Sequence, residues 1–254
     1  MIADVRGKAV LVMGGGRGIG RAVAARFAGL GADVGLTARD GARAVEVAAE
    51  LARTHAAQVS GHALDVTDRA RVRNVVEEFR AQRGRADVLV YNAGISPVYA
   101  SAEKIDEKDW DDILATNLTG AFLAAQAFAR PLIDEGASGS VIFIGSVNSV
   151  VGDPRLAAYT ASKAGLAGMA RTMALDWARY GIRVNTVAPG YVATDLTAGL
   201  RGNERLRTSL TDRTPQNRLA DPSEIADLVV FLASDSAAFV TGVVYPIDGG
   251  WTAQ

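Results

Sequence analysis

Short apolar runs rich in β-branched residues recur along this 254-residue chain, separated by longer stretches whose apolar positions return every three to four residues. The runs at 8–13 (KAVLVM), 33–38 (DVGLTA), 59–65 (VSGHALD), 87–91 (DVLVY), 140–145 (SVIFIG), 182–188 (IRVNTVA) and 243–247 (VVYPI) predict strands. The helical period predicts helices near 18–30, 41–54, 68–82, 111–135, 156–180 and 222–233. Many of the short runs are apolar throughout rather than alternating, which suits strands covered on both faces. Alternation this regular predicts an α/β fold, a doubly wound parallel sheet of about seven strands with helices on both faces. No repeat, low-complexity tract or linker interrupts it, so residues 1–254 are expected to form a single domain.

In such sheets ligands sit beyond the carboxyl ends of the strands, where the strand order reverses. The tips of these strands carry unusual residues. After the first strand comes Gly14-Gly-Gly-Arg17-Gly18-Ile19-Gly20, which opens a helix and fits GxxxGxG rather than GxGxxG. Glycines there permit a tight turn and let the backbone approach a pyrophosphate at the helix N-terminus. A P-loop is excluded, because no Gly-Lys-Ser/Thr follows. After the second strand stands Arg39, where a site for NAD usually has a carboxylate and a site for NADP an arginine. Arg39 and Arg17 together suit a 2′-phosphate, so NADP(H) is favoured over NAD(H); Asp40 reads as the cap of the next helix. Asp65-Val66 and Asn92-Ala93-Gly94 close the third and fourth strands with small and short polar residues that suit close approach of an adenosine. The sixth ends in Pro189-Gly190, with Val192 and Thr194 beyond. The polar segment around 190–217 that follows has the length of a substrate lid and carries Arg201, Arg205, Arg207 and Arg213.

The most reactive pair lies in the long helix near 156–180. Tyr159 and Lys163 are four residues apart and share one helix face. A phenol of ordinary pKa, about 10, moves few protons near neutrality. A neighbouring ammonium favours the phenolate and makes tyrosine a workable acid/base. Taken alone, a Tyr-x-x-x-Lys spacing is commonplace. Here Lys163 is embedded among small apolar neighbours, whereas the other lysines (Lys8, Lys104 and Lys108) are not. Ser146 closes the fifth strand, and Asn117 sits in an apolar helical stretch where an amide needs a hydrogen-bond partner.

Composition narrows the field. A net charge of −1 offers no basic surface for nucleic acid. The absence of cysteine removes thiolate nucleophiles and zinc–thiolate sites, and His55 and His62 stand outside any metal-ligand spacing, so no metal is expected. The least polar long stretch, 113–129, carries Thr116, Asn117, Thr119 and Gln126 and reads as a buried helix rather than a membrane span. No secretory pattern opens the chain, and the cytoplasm is the expected compartment.

Together, GxxxGxG, Asn92-Ala93-Gly94, Asn117, Ser146, Tyr159-x-x-x-Lys163, Pro189-Gly190 and the closing TGVVYPIDGGW resemble the short-chain dehydrogenase/reductase family over essentially the whole length. The resemblance implies a Rossmann-type fold and NAD(P)(H)-dependent interconversion of a ketone and a secondary alcohol. Tyr159 would be the proton donor or acceptor, and Lys163 would lower its pKa and hold the nicotinamide ribose. Ser146 would bind the substrate oxygen, and Asn117 a water that relays protons. Asp65 and Asn92 would flank the adenosine, and Val192 and Thr194 the nicotinamide amide. The expected partner is a small carbonyl or alcohol, and the family habit implies a homotetramer, which apolar faces at 113–129 and 164–174 with Trp177 and Trp251 would build. Reduction of a 3-oxoacyl thioester on a carrier protein is the alternative, made less attractive by the acidic Asp134-Glu135 after the Asn117 helix. An alternative of another class, a dinucleotide-binding sensor without catalysis, is opposed by the intact Ser146, Tyr159 and Lys163. One departure stands out: Met13 occupies the place of the family's threonine before the first glycine, so that turn is expected to be looser.

Overall fold

A computed structural model describes residues 4–194, 197, 208 and 211–253. Seven parallel strands form one sheet: β1 (Ala9–Met13), β2 (Asp33–Ala38), β3 (Val59–Ala63), β4 (Val88–Tyr91), β5 (Gly139–Ile144), β6 (Ile182–Pro189) and β7 (Val244–Ile247), in the order β3-β2-β1-β4-β5-β6-β7. The order reverses between β1 and β4. Register aligns Met13 with both Thr37 and Tyr91, so the turns leaving β1, β2 and β4 lie side by side.

Side-chain alternation explains why β1 is apolar throughout. Val10 and Val12 face a layer made by α1 (Gly18–Gly29), α2 (Gly41–His55) and a late helix at Pro222–Ala233, where Phe27, Val47 and Val229 are fully buried. Ala9, Leu11 and Met13 face the opposite layer, built on α3 (Arg69–Arg83), a helix at Gly120–Glu135 and another at Ala157–Trp177, around Phe79, Phe128 and Leu166. Each such aromatic or leucine side chain contributes about 1.5–3 kcal/mol through burial. Both faces of the sheet are therefore apolar, and the polar chemistry is left to the strand ends.

Helix starts follow their caps. Asp40 accepts from the Arg43 amide, as the sequence predicts, and Asp68 accepts from the amides of Ala70 and Arg71. Asp221 and Glu224 form a reciprocal capping box around Pro222. The predicted helix at 111–135 differs from what is found. Helical structure starts earlier, as α4 (Glu107–Leu114), passes through a wide π-turn at Ala115–Thr119, and continues as α5 (Gly120–Glu135). Among the described residues the other two α-helices are α6 (Ala157–Trp177) and α7 (Pro222–Ala233). Among the described residues no helix is long and apolar enough to cross a membrane.

Candidate active site

The turn after β1 has little room for side chains. Gly14 has φ +83°, and a Cβ there would meet the Ala93 amide nitrogen at 2.7 Å. A Cβ on Gly20 would collide with the Gly14 carbonyl oxygen. Arg17 occupies the N-cap of α1 without a side-chain cap, so the first amides of that helix face outward as an anion site, with Ile19 packed partly into the core behind them. The turn is not loosened by Met13, contrary to expectation. Met13 is buried in the core, while the Gly14 amide donates to Thr37 Oγ1 at 3.2 Å and Asn92 Nδ2 donates to the Gly14 carbonyl at 2.8 Å. Threonine on the adjacent strand supplies the hydroxyl that position 13 lacks.

A cleft of about 580 Å³ runs across these tips and is lined by Gly14, Arg17, Arg39, Asp65, Val66, Asn92, Ala93 and Gly94 among others. Its charge is mixed. The Asp65 carboxyl is held below its ordinary value, first by the Thr67 amide and then by the Thr67 hydroxyl, and Arg39 adds to the effect. Arg43, which sequence reasoning assigned no role, also lines the cleft, its Nε donating to the Gly16 carbonyl at 3.3 Å. The residues fit a dinucleotide: glycines that a Cβ would block, an uncapped helix N-terminus, a carboxylate for a ribose, and arginines where a 2′-phosphate would fall.

At the opposite end of the cleft, Gly94 joins the nucleotide loop to a reactive cluster. A Cβ there would stand 3.4 Å from Asn117 Oδ1 and 3.5 Å from Lys163 Nζ. Asn117 is fully buried in the π-turn; its Oδ1 accepts from the Ile95 amide at 2.8 Å, and its Nδ2 donates to the Ile95 carbonyl and to Ser162 Oγ, both at 3.0 Å. The side chain is thus a clamp on the backbone of Ile95. Lys163 Nζ donates to the Ile144 carbonyl at 2.8 Å and lies 5.7 Å from the centroid of the Tyr159 ring. Burial lowers the Lys163 ammonium to about 8. Burial also raises the Tyr159 phenol above 10, and the Ser146 hydroxyl pulls the other way. The expected lowering of the phenol by Lys163 is not found: loss of water around the ring dominates, and the opposing pull comes from Ser146.

Ser146 lies two residues beyond β5 and caps a short 3₁₀ turn. Its Oγ donates to Asn148 Oδ1 and accepts from the Asn148 amide, both at 3.2 Å, and Asn148 Nδ2 donates to Thr160 Oγ1 at 3.1 Å. Farther along the sheet, Gly190 follows β6 and packs against Asp248, so closely that a Cβ would meet Asp248 Cα at 2.9 Å. Buried Val192 forms a parallel bridge with Ala220, and Thr194 returns the chain to the glycine turn, 3.4 Å from where a Gly18 Cβ would be. The turn after β1 and the segment after Pro189 thus flank one opening.

Comparison with known proteins agrees with this geometry. A family model described as enoyl-(acyl carrier protein) reductase matches residues 14–252. The 3-oxoacyl-[acyl-carrier-protein] reductase of Escherichia coli K12 is 40% identical over 249 residues, covering 97% of this chain and 98% of that one. Gluconate 5-dehydrogenase of Gluconobacter oxydans is 37% identical, covering 98% and 96%. The chain belongs to the short-chain dehydrogenase/reductase family. A crystal structure of gluconate 5-dehydrogenase from Burkholderia cenocepacia, in complex with NADP and tartrate, superposes with a TM-score of 0.93 at 36% identity, over 98% of this chain and 97% of that one. This short-chain dehydrogenase/reductase is accordingly an NAD(P)(H)-dependent oxidoreductase that interconverts a ketone and a secondary alcohol.

Besides Arg43, two residues of this candidate site carry no role in the sequence reading. Asn148 holds the Ser146 hydroxyl, and its signal was faint: a buried amide two positions past the serine. Thr37 lies within an apolar strand and gave no signal at all. Half of the predicted lid lies outside the described residues, including Arg201, Arg205 and Arg207. Arg213 is described, and its guanidinium stands 4.0 Å over the Trp251 ring. Trp251 is buried by that contact and by Tyr191, whereas Trp177 is half-buried and packs partly on the core.

Proposed function

We propose that Tyr159 is the acid/base, Ser146 the group that binds the substrate oxygen, and Lys163 the cation that sets the proton balance between them, with NADP(H) the preferred cofactor. In the reducing direction the Tyr159 phenol gives its proton to the substrate oxygen, and in oxidation it takes that proton back. A phenol kept protonated by burial starts the reducing half of the cycle in the form that donates. The Ser146 hydroxyl, aimed by Asn148, donates to the oxygen as negative charge builds on it. Lys163 stabilises the phenolate left behind. Asn117 positions Ile95 and Ser162 around the lysine. When bound, the nicotinamide supplies or accepts the hydride. Gly14, Gly18, Ile19 and Gly20 would hold the pyrophosphate, Asp65, Val66, Asn92, Ala93 and Gly94 the adenosine side, and Pro189, Gly190, Val192 and Thr194 the nicotinamide side.

The observation that carries the reading is the position of Gly94, wedged between the nucleotide cleft and the Asn117–Lys163 pair. Arg17 and Arg39 in the same cleft support NADP(H). Steady-state assays of a ketone panel with both cofactors test it. Tyr159→Phe is expected to lose about 10²–10⁴ in kcat while still binding NADPH. Arg39→Ala is expected to lose NADPH affinity but keep that for NADH. Full turnover by Tyr159→Phe, or a clear preference of the wild type for NADH, overturns the reading. A second reading, reduction of a 3-oxoacyl thioester, is favoured by the 40% identical relative of that name and disfavoured by the exposed Asp134 at the end of α5.

A further inference from the structure

The segment that joins Ser146 to Tyr159 carries an acid group that neither nucleotide binding nor proton transfer uses. The side chain of Asp153 is only 8% exposed, and its Oδ2 is buried with no hydrogen-bond partner among the described residues. Its Oδ1 lies 3.9 Å from Nη1 of Arg213, beyond the range of a good charge-assisted hydrogen bond. The Tyr191 phenol reaches this carboxyl as a weak donor, and the desolvated Oδ2 remains open to a further donor from outside the chain. Its neighbours are chosen for polarity held on a rigid apolar frame. Tyr191, directly after Gly190, is near enough that the carboxylate helps burial push its phenol up to about 12, so it stays a neutral donor. Tyr191 meets Trp251 edge-on with centroids 5.0 Å apart, and the same indole carries Arg213. The segments after β5, β6 and β7 thus build one wall at the carboxyl ends of the strands.

We propose that Asp153 is a specificity residue, accepting a hydroxyl hydrogen from a polyhydroxylated ketone or polyol, and that the substrate class is a hydroxyl-rich small molecule rather than an acyl chain. The proposal rests on the ketone–alcohol reading of the site and adds the substrate to it. A methylene chain along this wall leaves Oδ2 unpaired. A second cation is poorly matched, because Arg213 already offsets the charge. A neutral hydroxyl satisfies the oxygen without disturbing that balance, and a site built to bind a hydroxyl rejects analogues that lack one.

The test compares wild type, Asp153→Asn, Asp153→Ala and Tyr191→Phe in the full chain with NADPH. Fructose and 5-ketogluconate serve as hydroxyl-rich ketones, with cyclohexanone and an acetoacetyl thioester of N-acetylcysteamine as hydroxyl-poor ones. Wild type is expected to favour the hydroxyl-rich pair in kcat/KM. Each Asp153 variant is expected to lower the rich-to-poor ratio by about 10–100-fold, chiefly through KM, with Tm nearly unchanged. A ratio that does not move, a parallel loss on both classes with a fall in Tm, or a wild type that prefers the hydroxyl-poor pair overturns the proposal. If Asp153→Ala fails to fold, Asp153→Asn and Tyr191→Phe still read the ratio. Should the ratio stay fixed while Tyr159→Phe is inactive, only the substrate class falls. Should Tyr159→Phe turn over like wild type, the parent reading falls and takes the proposal with it.

Discussion

Single residues here are set by their partners more than by their type. Ser146 has an ordinary hydroxyl until Asn148 fixes it from two sides and Thr160 fixes Asn148. Asn148→Ala is therefore expected to lower kcat about 10-fold, the worth of roughly one hydrogen bond, with NADPH affinity intact; an unchanged kcat would show that Ser146 needs no guide. Lys163 illustrates the opposite balance. Its folded-state pKa, about 8, lies below the ordinary 10.5, so between those values the unfolded chain holds the proton more firmly than the folded one. Stability contributed by this residue is thus lowest below pH 8 and rises toward pH 10.5. Relative to Lys163→Met, the wild type is expected to gain up to about 3 kcal/mol across that window in urea unfolding. A difference that stays flat with pH would remove the argument.

At the scale of elements, the informative one is the π-turn between α4 and α5. Periodicity predicted a single helix through it, because the apolar spacing survives a local widening by one residue. What distorts the turn is tertiary: Asn117 reaches across to both backbone groups of Ile95, Tyr91 Oη donates to the Thr116 carbonyl at 2.6 Å, and Gly120 leaves room for that phenol. Asn117→Leu keeps the volume and removes three hydrogen bonds. It is expected to cost about 2–4 kcal/mol and to weaken NADPH binding through Ile95 and Gly94, while far-UV circular dichroism holds. Retained stability and cofactor affinity would mean that the clamp is incidental. The glycine turn was legible in the sequence as a motif, and the structure adds why it stays tight with methionine at position 13.

For the whole molecule, the exposed apolar residues are the starting point for any assembly. Phe239 is fully exposed and Leu175 81% exposed, and Gly242, ahead of β7, backs onto Ala174 near the end of α6. Among the described residues β7 pairs with β6 alone and forms the edge of the sheet. We propose that these faces, rather than Trp177 and Trp251, close a homotetramer of the 26.5 kDa chain. Light scattering at micromolar concentration is expected to give four chains, and Leu175→Glu with Phe239→Asp to reduce the mass; a monomeric wild type would contradict it.

Strand and helix order, the glycine turn, the Tyr159–Lys163 spacing and the family likeness were settled by the sequence, because each depends on residues adjacent in the chain or repeated at a fixed period. Tertiary structure alone decided that Thr37 braces Gly14, that Asn117 grips Ile95, and that Asp153, Tyr191, Arg213 and Trp251 share a wall. Those groups lie between 22 and 60 positions from their partners. Only strand register and packing bring such distant side chains within reach, and neither leaves a local periodicity to read.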